Sequence, residues 1–486
     1  MTGRSRRLVS PTFHRKVGGQ TSVFVVVTAA IMLVSALTVY NAGRLALQRI
    51  QLQTAADAAA YSGAVMLARS YNFSAYANRG MVANHVAIAQ AVGLASWAKY
   101  YCLIYTLTNC GEFPTLGTGP GIEAALLQVP PGAPGIVPFE LYRVLSLAMY
   151  QSIDVALPPL VTTADAIVTV LSAASNAYHL AALAELGGAA VDSGLLAEVV
   201  RANDADASIS VFGVGTVAAS TALITTFTTY RDPLTPGSDV GDRLRGTVDN
   251  ALDGFSKVRA SLEVLPFPLF SFGACVTAAG VPGVGAAIVS AVYGGLTTLT
   301  PDNRQWNATD SAVFPALYAC GGVIPPTQNS PPVPAGTITP LLVPPSFASA
   351  SVGGVAPGPF DIGASYAGLQ GYWDVSNTTG GLLSDSTPPL TLYVRRGSDT
   401  IKTLSQMNDA GTFPVAGGEL RLEEALAGNE MQVGASSQAY FVRPDTPGYL
   451  TTAEYGNLFN PYWEARLVNT GLLQDAAAAA AQDLLP

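Results

Sequence analysis

The longest unbroken apolar pattern lies at the start of the chain. No charged residue falls between Val17 and Gly43, and Ser22–Tyr40 reads SVFVVVTAAIMLVSALTVY. As a helix rising 1.5 Å per residue, this run spans roughly 28 Å, the thickness of a bilayer's hydrocarbon layer. A cleavable secretory signal has a shorter apolar region of about 7–15 residues and a small-x-small cleavage site. Neither feature stands out here, so residues 20–43 are read as a transmembrane helix behind a tail of residues 1–19.

The pattern then becomes helical and small-sided. Residues 44–101 contain no proline, and only Gly43, Gly63, Gly80 and Gly93 interrupt or flank strong helix formers. Two helices are expected, with Asn72 or Ser74 as the N-cap of the second. Ala56, Ala60, Ala64 and Ala68 recur at i, i+4, beside a stripe of Ala55, Ala59 and Gly63. Such a face lets another backbone come close, either a partner helix or an element of the same chain. Asp57 lies among these alanines.

Residues 102–137 are a Gly/Pro-rich connection. Residues 138–262 carry apolar positions at spacings of three and four (Leu141, Val144, Leu145, Leu147), which predicts a helical domain with turns at Gly187-Gly188 and Arg201–Asp206. Within it, Ala207–Tyr230 has no charge but is rich in Thr and Ser; it reads as a buried helix, with a second membrane crossing as the alternative. Residues 263–360 form a nearly uncharged Gly/Pro-rich connector, with no charge between Asp310 and Asp361, and are expected to lack regular helix or sheet.

In residues 361–446 the period drops to two. Leu369, Gly371, Trp373 and Val375 alternate with Gln370, Tyr372 and Asp374; Leu390, Leu392 and Val394 alternate with Thr391, Tyr393 and Arg395; Ser437–Arg443 repeats the pattern. These predict a small antiparallel sheet. Residues 447–486 are expected to be a helical tail ending in LLQDAAAAAAQDLLP. The fold class is therefore α+β: one transmembrane helix, a mainly helical Ala-rich region, and a small sheet near the C-terminus.

Composition sharpens this picture. Only 12% of the 486 residues are charged, and the mean hydropathy is +0.34. Residues 1–20 hold five basic groups (Arg4, Arg6, Arg7, Arg15, Lys16) and no acid. Removing those five from the 24 basic residues leaves 19 against 33 acids, a net of −14 for the rest. The one-sided basic flank keeps the tail cytoplasmic and sends the bulk across the membrane. So acidic a body is a poor nucleic-acid binder.

Cys102, Cys110, Cys275 and Cys320 form an even set with no CxxC spacing, which suits an oxidising compartment. The short-range pairs Cys102–Cys110 and Cys275–Cys320 are the expected disulfides, with four free thiols as the alternative. His14, His85 and His179 lie far apart, and no zinc-ligand spacing accompanies them. There is no GxSxG, HExxH or P-loop, and the glycines of GVPGVGAAI (residues 280–288) lack a strand before them. No catalytic, cofactor-binding or metal-binding residue is assigned, no cofactor is expected, and the chain is read as not an enzyme.

Several segments carry a resemblance. The basic start, GGQTSVFVVV, the apolar span, YNAGRLALQRIQLQTAADAAAYSGA and NFSAYANRGMVANHVAIAQAV resemble the N-terminal domain of TadG-like proteins of the Flp (Tad) pilus assembly system. AYFVRPD and EYGNLFNPYWEARL resemble the closing segment of the same group. The likeness covers residues 15–100 and 437–467. It implies a Gram-negative inner-membrane protein, single-pass, with a periplasmic bulk. Its partners would be the inner membrane, pilins, pseudopilins and inner-membrane platform proteins of a Tad system.

Two departures bear on that implication. Prepilins of this system carry a Glu five residues after the Gly; here Phe24 stands there, after Gly19, which argues against a polymerising, cleaved subunit. Many TadG-like proteins also have a von Willebrand A domain with a DxSxS metal motif. Asp374, Ser376 and Thr378 come near it, but the half-polar approach and Gly-rich exit fit a turn better. A non-enzymatic assembly accessory is therefore the leading reading. A minor pilin-like subunit and an unrelated envelope sensor or binding protein are the alternatives.

Overall fold

A computed structural model describes residues 20–105, 136–187, 194–235, 243–264, 270–276, 282–314, 316–322, 341–351, 362–376, 385–397, 400, 412–415, 418–421, 430–443 and 455–469. One helix, α1 (Gln20–Tyr105), organises them. Its 86 residues would measure about 129 Å at ideal rise. Val25, Val26, Ile31, Met32, Leu33 and Val39 of its first part are all exposed. This part is long and apolar enough to cross a membrane, and its own protein leaves it uncovered. Its polar side chains fit that setting: Thr28 and Thr38 hydroxyls donate back to the carbonyls of Phe24 (2.8 Å) and Ser35 (2.9 Å).

The expected break near Asn72 is absent. Nothing in residues 44–101 stops a helix, and Asn72 caps no helix because its amide serves another element. Its Nδ2 donates to the Trp463 carbonyl at 2.9 Å, and its Oδ1 accepts from the Trp463 amide at 3.0 Å.

The helix α2 (Ile136–Gly187) runs back along α1. Leu171 packs at Gly80, Ser175 bonds Ser74, His179 bonds Ser70 and Leu186 packs at Gly63, an antiparallel register throughout. Pro158 and Pro159 sit within α2. The helix ends at Gly187, where a turn was expected. The following α3 (Leu195–Asn203) ends within the second expected turn, and Asp204 and Asp206 there accept from Arg396 at 3.2 and 2.6 Å.

Two sheets clasp the rod. In the first, β1 (Ala207–Ile209), β10 (Leu390–Gly397), β13 (Glu430–Phe441) and β14 (Trp463–Val468) lie antiparallel in that order. This bears out the period-two reading of residues 390–395 and 437–441, and adds β1 and β14. The strand β14 falls in the stretch expected to be helical. Its alternation of buried Trp463 with more exposed neighbours suits the sheet edge beside β13. The alanine-rich end, residues 472–486, lies outside the described residues.

Residues 207–230 are not one helix. They form β1, then α4 (Val211–Phe227), then β2 (Thr228–Arg231), which pairs with β9 (Tyr372–Val375). Ser210 caps α4 by accepting from the Gly213 amide at 2.9 Å. α4 covers the stretch of β10's edge that β1 leaves open: Ser220 Oγ accepts from the Thr391 amide at 3.2 Å. Gly213 lies so close to Tyr393 that any Cβ would strike its carbonyl.

The second sheet corrects the connector expected at 263–360. β3 (Val258–Val264), β5 (Pro282–Leu299), β6 (Gln305–Phe314) and β8 (Leu341–Ser351) pair in that order, and β4 (Phe270–Val276) and β7 (Ala316–Gly322) pair with β5. The helices α5 (Arg243–Ala251) and α6 (Gly254–Lys257) precede it, and a hairpin of β11 (Thr412–Val415) and β12 (Gly418–Arg421) stands apart. Lack of charge hid β5, because its alternation is between apolar, Thr and Gly positions. Tyr293, Gly295, Thr297 and Leu299 are buried while Gly294, Leu296 and Thr298 are exposed.

Two apolar cores are strung along α1. The first gathers Leu52, Ala60, Leu67 and Tyr71 with Leu196, Leu390 and Trp463. The second gathers Met81, Ile88 and Val92 with Val161, Leu244, Trp306 and Tyr366. Beyond it, Arg259 and Asp310 form a buried bidentate pair at 2.7 and 3.1 Å, shared with the Tyr293 hydroxyl, beneath Gly93. Only a glycine there leaves room for the Arg259 guanidinium and the Thr297 hydroxyl.

Candidate functional site

The small-residue stripe is the first candidate. Ala56, Ala60 and Ala64 are fully buried and Ala68 nearly so. Their cover belongs to the same chain: Ser437 of β13 donates to the Ala60 carbonyl at 2.6 Å, and Leu390, Leu196 and Leu186 crowd Gly63. Close backbone approach is realised, by strand and helix of the chain itself. Asp57 stands half-buried at the rim, accepting from Gln53 at 2.9 Å.

Cys102 is disulfide-bonded, at the far end of α1. Cys110 lies outside the described residues. Cys275 on β4 stands opposite Gly283 of β5, and Cys320 on β7 opposite Gly285.

The near-match Asp374, Ser376, Thr378 is taken up by structure. Asp374 sits in β9 opposite Thr229, and its Oδ1 receives Arg243 Nη1 at 3.0 Å and the Val375 amide at 2.8 Å. Burial raises its carboxyl, while Arg243 and the Val375 amide pull the other way. The Ser376 amide donates to the Phe227 carbonyl, and Thr378 lies outside the described residues. Among the described residues, no group of three or more His, Cys, Asp or Glu is placed to hold a metal ion.

His179 joins four elements. Its ring stacks against Trp373 at 4.0 Å and Tyr71 at 5.8 Å, with Nδ1 3.2 Å from Ser70 Oγ and Nε2 3.0 Å from Thr228 Oγ1. Burial pushes its pKa down to about 4, so it is a neutral core imidazole at physiological pH. His14 lies outside the described residues.

One groove was not foreseen. A cavity of about 840 Å³ opens between α1 (Arg79, Val82, Ala83, Val86), α5 (Arg243, Thr247, Ala251) and the loop at Tyr455–Asn460. That volume is in the range of ligand pockets. The loop is held in shape: Asn457 Oδ1 accepts from the Phe459 and Asn460 amides, each at 2.9 Å, and Asp385 accepts from the Gly456 amide at 2.8 Å. Asn78 Nδ2, one residue before Arg79, donates to the carbonyls of Leu458 (2.6 Å) and Trp373 (3.0 Å). Two walls of the groove thus come from NRGMVANH and YGNLFN, parts of two segments that carry the resemblance; their meeting could not be read from either alone.

An exposed apolar helix running unbroken into an α+β body fits a membrane-associated protein. Residues 19–66 match the family described as "Putative Flp pilus-assembly TadE/G-like", which covers the apolar span and the first packed turns of α1. This segment is TadE/G-like, and the match is consistent with a TadG-like protein. No curated protein matches the chain, and no solved structure does.

Proposed function

We propose that this chain is a non-enzymatic accessory of Flp/Tad-type pilus assembly, held in the inner membrane by one helix, with its N-terminus cytoplasmic and its body periplasmic. One observation carries the reading: the TadE/G-like match at residues 19–66 coincides with the helix whose first part is bare and apolar and whose next part is packed. The five basic residues before that helix support the orientation. The body organises envelope or pilus components through its surface, and it needs no cofactor.

An in-frame deletion in a piliated host is expected to abolish surface pili, with restoration by the full chain in trans. Alkaline phosphatase fused after residue 469 is expected to be active. Normal piliation in the deletion strain would defeat the assembly role, and a fusion active only as a cytoplasmic reporter would defeat the topology.

A further inference from the structure

Among the described residues, the groove between α1, α5 and the Tyr455–Asn460 loop is lined by two arginines and no carboxylate. This is unusual chemistry for a chain with 33 acids against 24 bases. Arg79 is exposed and makes no hydrogen bond or ion pair with any described residue. Arg243 is half-engaged: one N–H goes to Asp374 behind the wall, while its side chain stays 31% exposed. Asp374 is buried and also feels Arg231, and Asp385 is bound to the Gly456 amide. The remaining walls are mostly apolar: Val82, Ala83, Val86, Ala251 and Phe459.

We infer that this groove receives an acidic–apolar peptide segment of a partner protein, its carboxylate forked by Arg79 and Arg243 and its neighbouring apolar side chain laid against Val82, Val86 and Phe459. Guanidinium groups bind carboxylates in bidentate fashion, and the apolar walls give the adjoining side chain a dry seat. A free phosphate would satisfy the arginines but leave those walls unmatched. A lipid headgroup is out of reach: on the membrane-anchor reading, on which this one step rests, Arg79 stands 36 helical residues beyond Gly43, about 54 Å from the bilayer.

The test uses the full chain in phosphatidylcholine nanodiscs and fluorescein-labelled octapeptides with blocked ends, one alternating Asp and Leu, the other Lys and Leu. Fluorescence anisotropy is expected to show saturable binding of the acidic peptide alone. Arg79→Glu is expected to weaken it about tenfold or more, with an unchanged melting curve because Arg79 holds no structural contact. Equal binding by wild type and Arg79→Glu, or equal binding of the basic peptide, overturns the proposal. Displacement of the peptide by millimolar inorganic phosphate, or by phosphatidylglycerol vesicles, reassigns the groove to a simple anion or a headgroup and overturns it too. No pilus is needed for this measurement, so its outcome stands apart from the piliation phenotype.

Discussion

His85 is fully buried on α1, its ring edge-on to Tyr366 at 6.2 Å, and neither ring nitrogen has a hydrogen-bond partner among the described residues. Burial depresses its pKa to about 3, against an ordinary 6.5. The unfolded chain therefore takes a proton near pH 6.5 that the folded chain refuses until about pH 3. The stability linked to His85 is complete above pH 6.5 and drains away as pH falls toward 3. His85→Leu fills the site without a titrating group. Its melting temperature is expected to fall less than that of the wild type between pH 7.5 and pH 5, by circular dichroism in detergent; parallel curves would refute the assignment. Asp165 and Asp374, whose carboxyls burial raises, act in the opposite sense but are common to both proteins and cancel in the difference. At this scale the sequence was nearly mute. His85, His179 and Asp374 could be named, but their neighbours come from distant segments, so nothing in the local pattern told a core imidazole from a ligand.

Besides the apolar core that joins Tyr71 to Trp463, two amides of α1 clamp it to distant backbone. Asn72 exchanges two hydrogen bonds with the Trp463 backbone, 391 positions away, and Asn78 donates to two carbonyls. Each replaced by Ala would strand buried backbone groups, at a cost of about 2 kcal/mol. Urea titration should show a lower midpoint for Asn72→Ala and for Asn78→Ala, with no change in far-ultraviolet helix signal; an unmoved midpoint would mean the clamps are incidental. Elements with strong local signals were legible: the apolar span, the small-sided helix, the period-two strands at Leu390–Val394 and Ser437–Phe441. The missed ones had signals that local rules misread. Asn72 looked like a cap because its long-range partner was invisible. The strands β5 and β6 looked like a connector because Gly and Pro are frequent nearby and their single charged residue, Asp310, is buried rather than marking an outer face. The groove was illegible because its walls come from three elements.

For the whole molecule, the sequence disclosed an apolar anchor, an acidic body and an α+β composition, since each is a property of long stretches rather than of contacts. How the body is hung on the anchor was not disclosed. It hangs on one unbroken helix, with the two cores and then the buried Arg259–Asp310 pair at successive heights, and the arginine groove at the level of the second core. No helix break separates the exposed apolar turns from the packed ones; Gly43 lies in open surroundings but within the helix. On the proposed anchoring, the bearing of the body around the membrane normal is therefore geared to the roll of that helix. One residue inserted after Gly43 would swing every outer surface by about 100°, and two by about 200°, whereas four would bring them within about 40° of their first heading and only about 6 Å higher. Piliation scored across such insertions should fail, fail and recover. Equal tolerance of all three would show that the assembly does not care which way this protein faces.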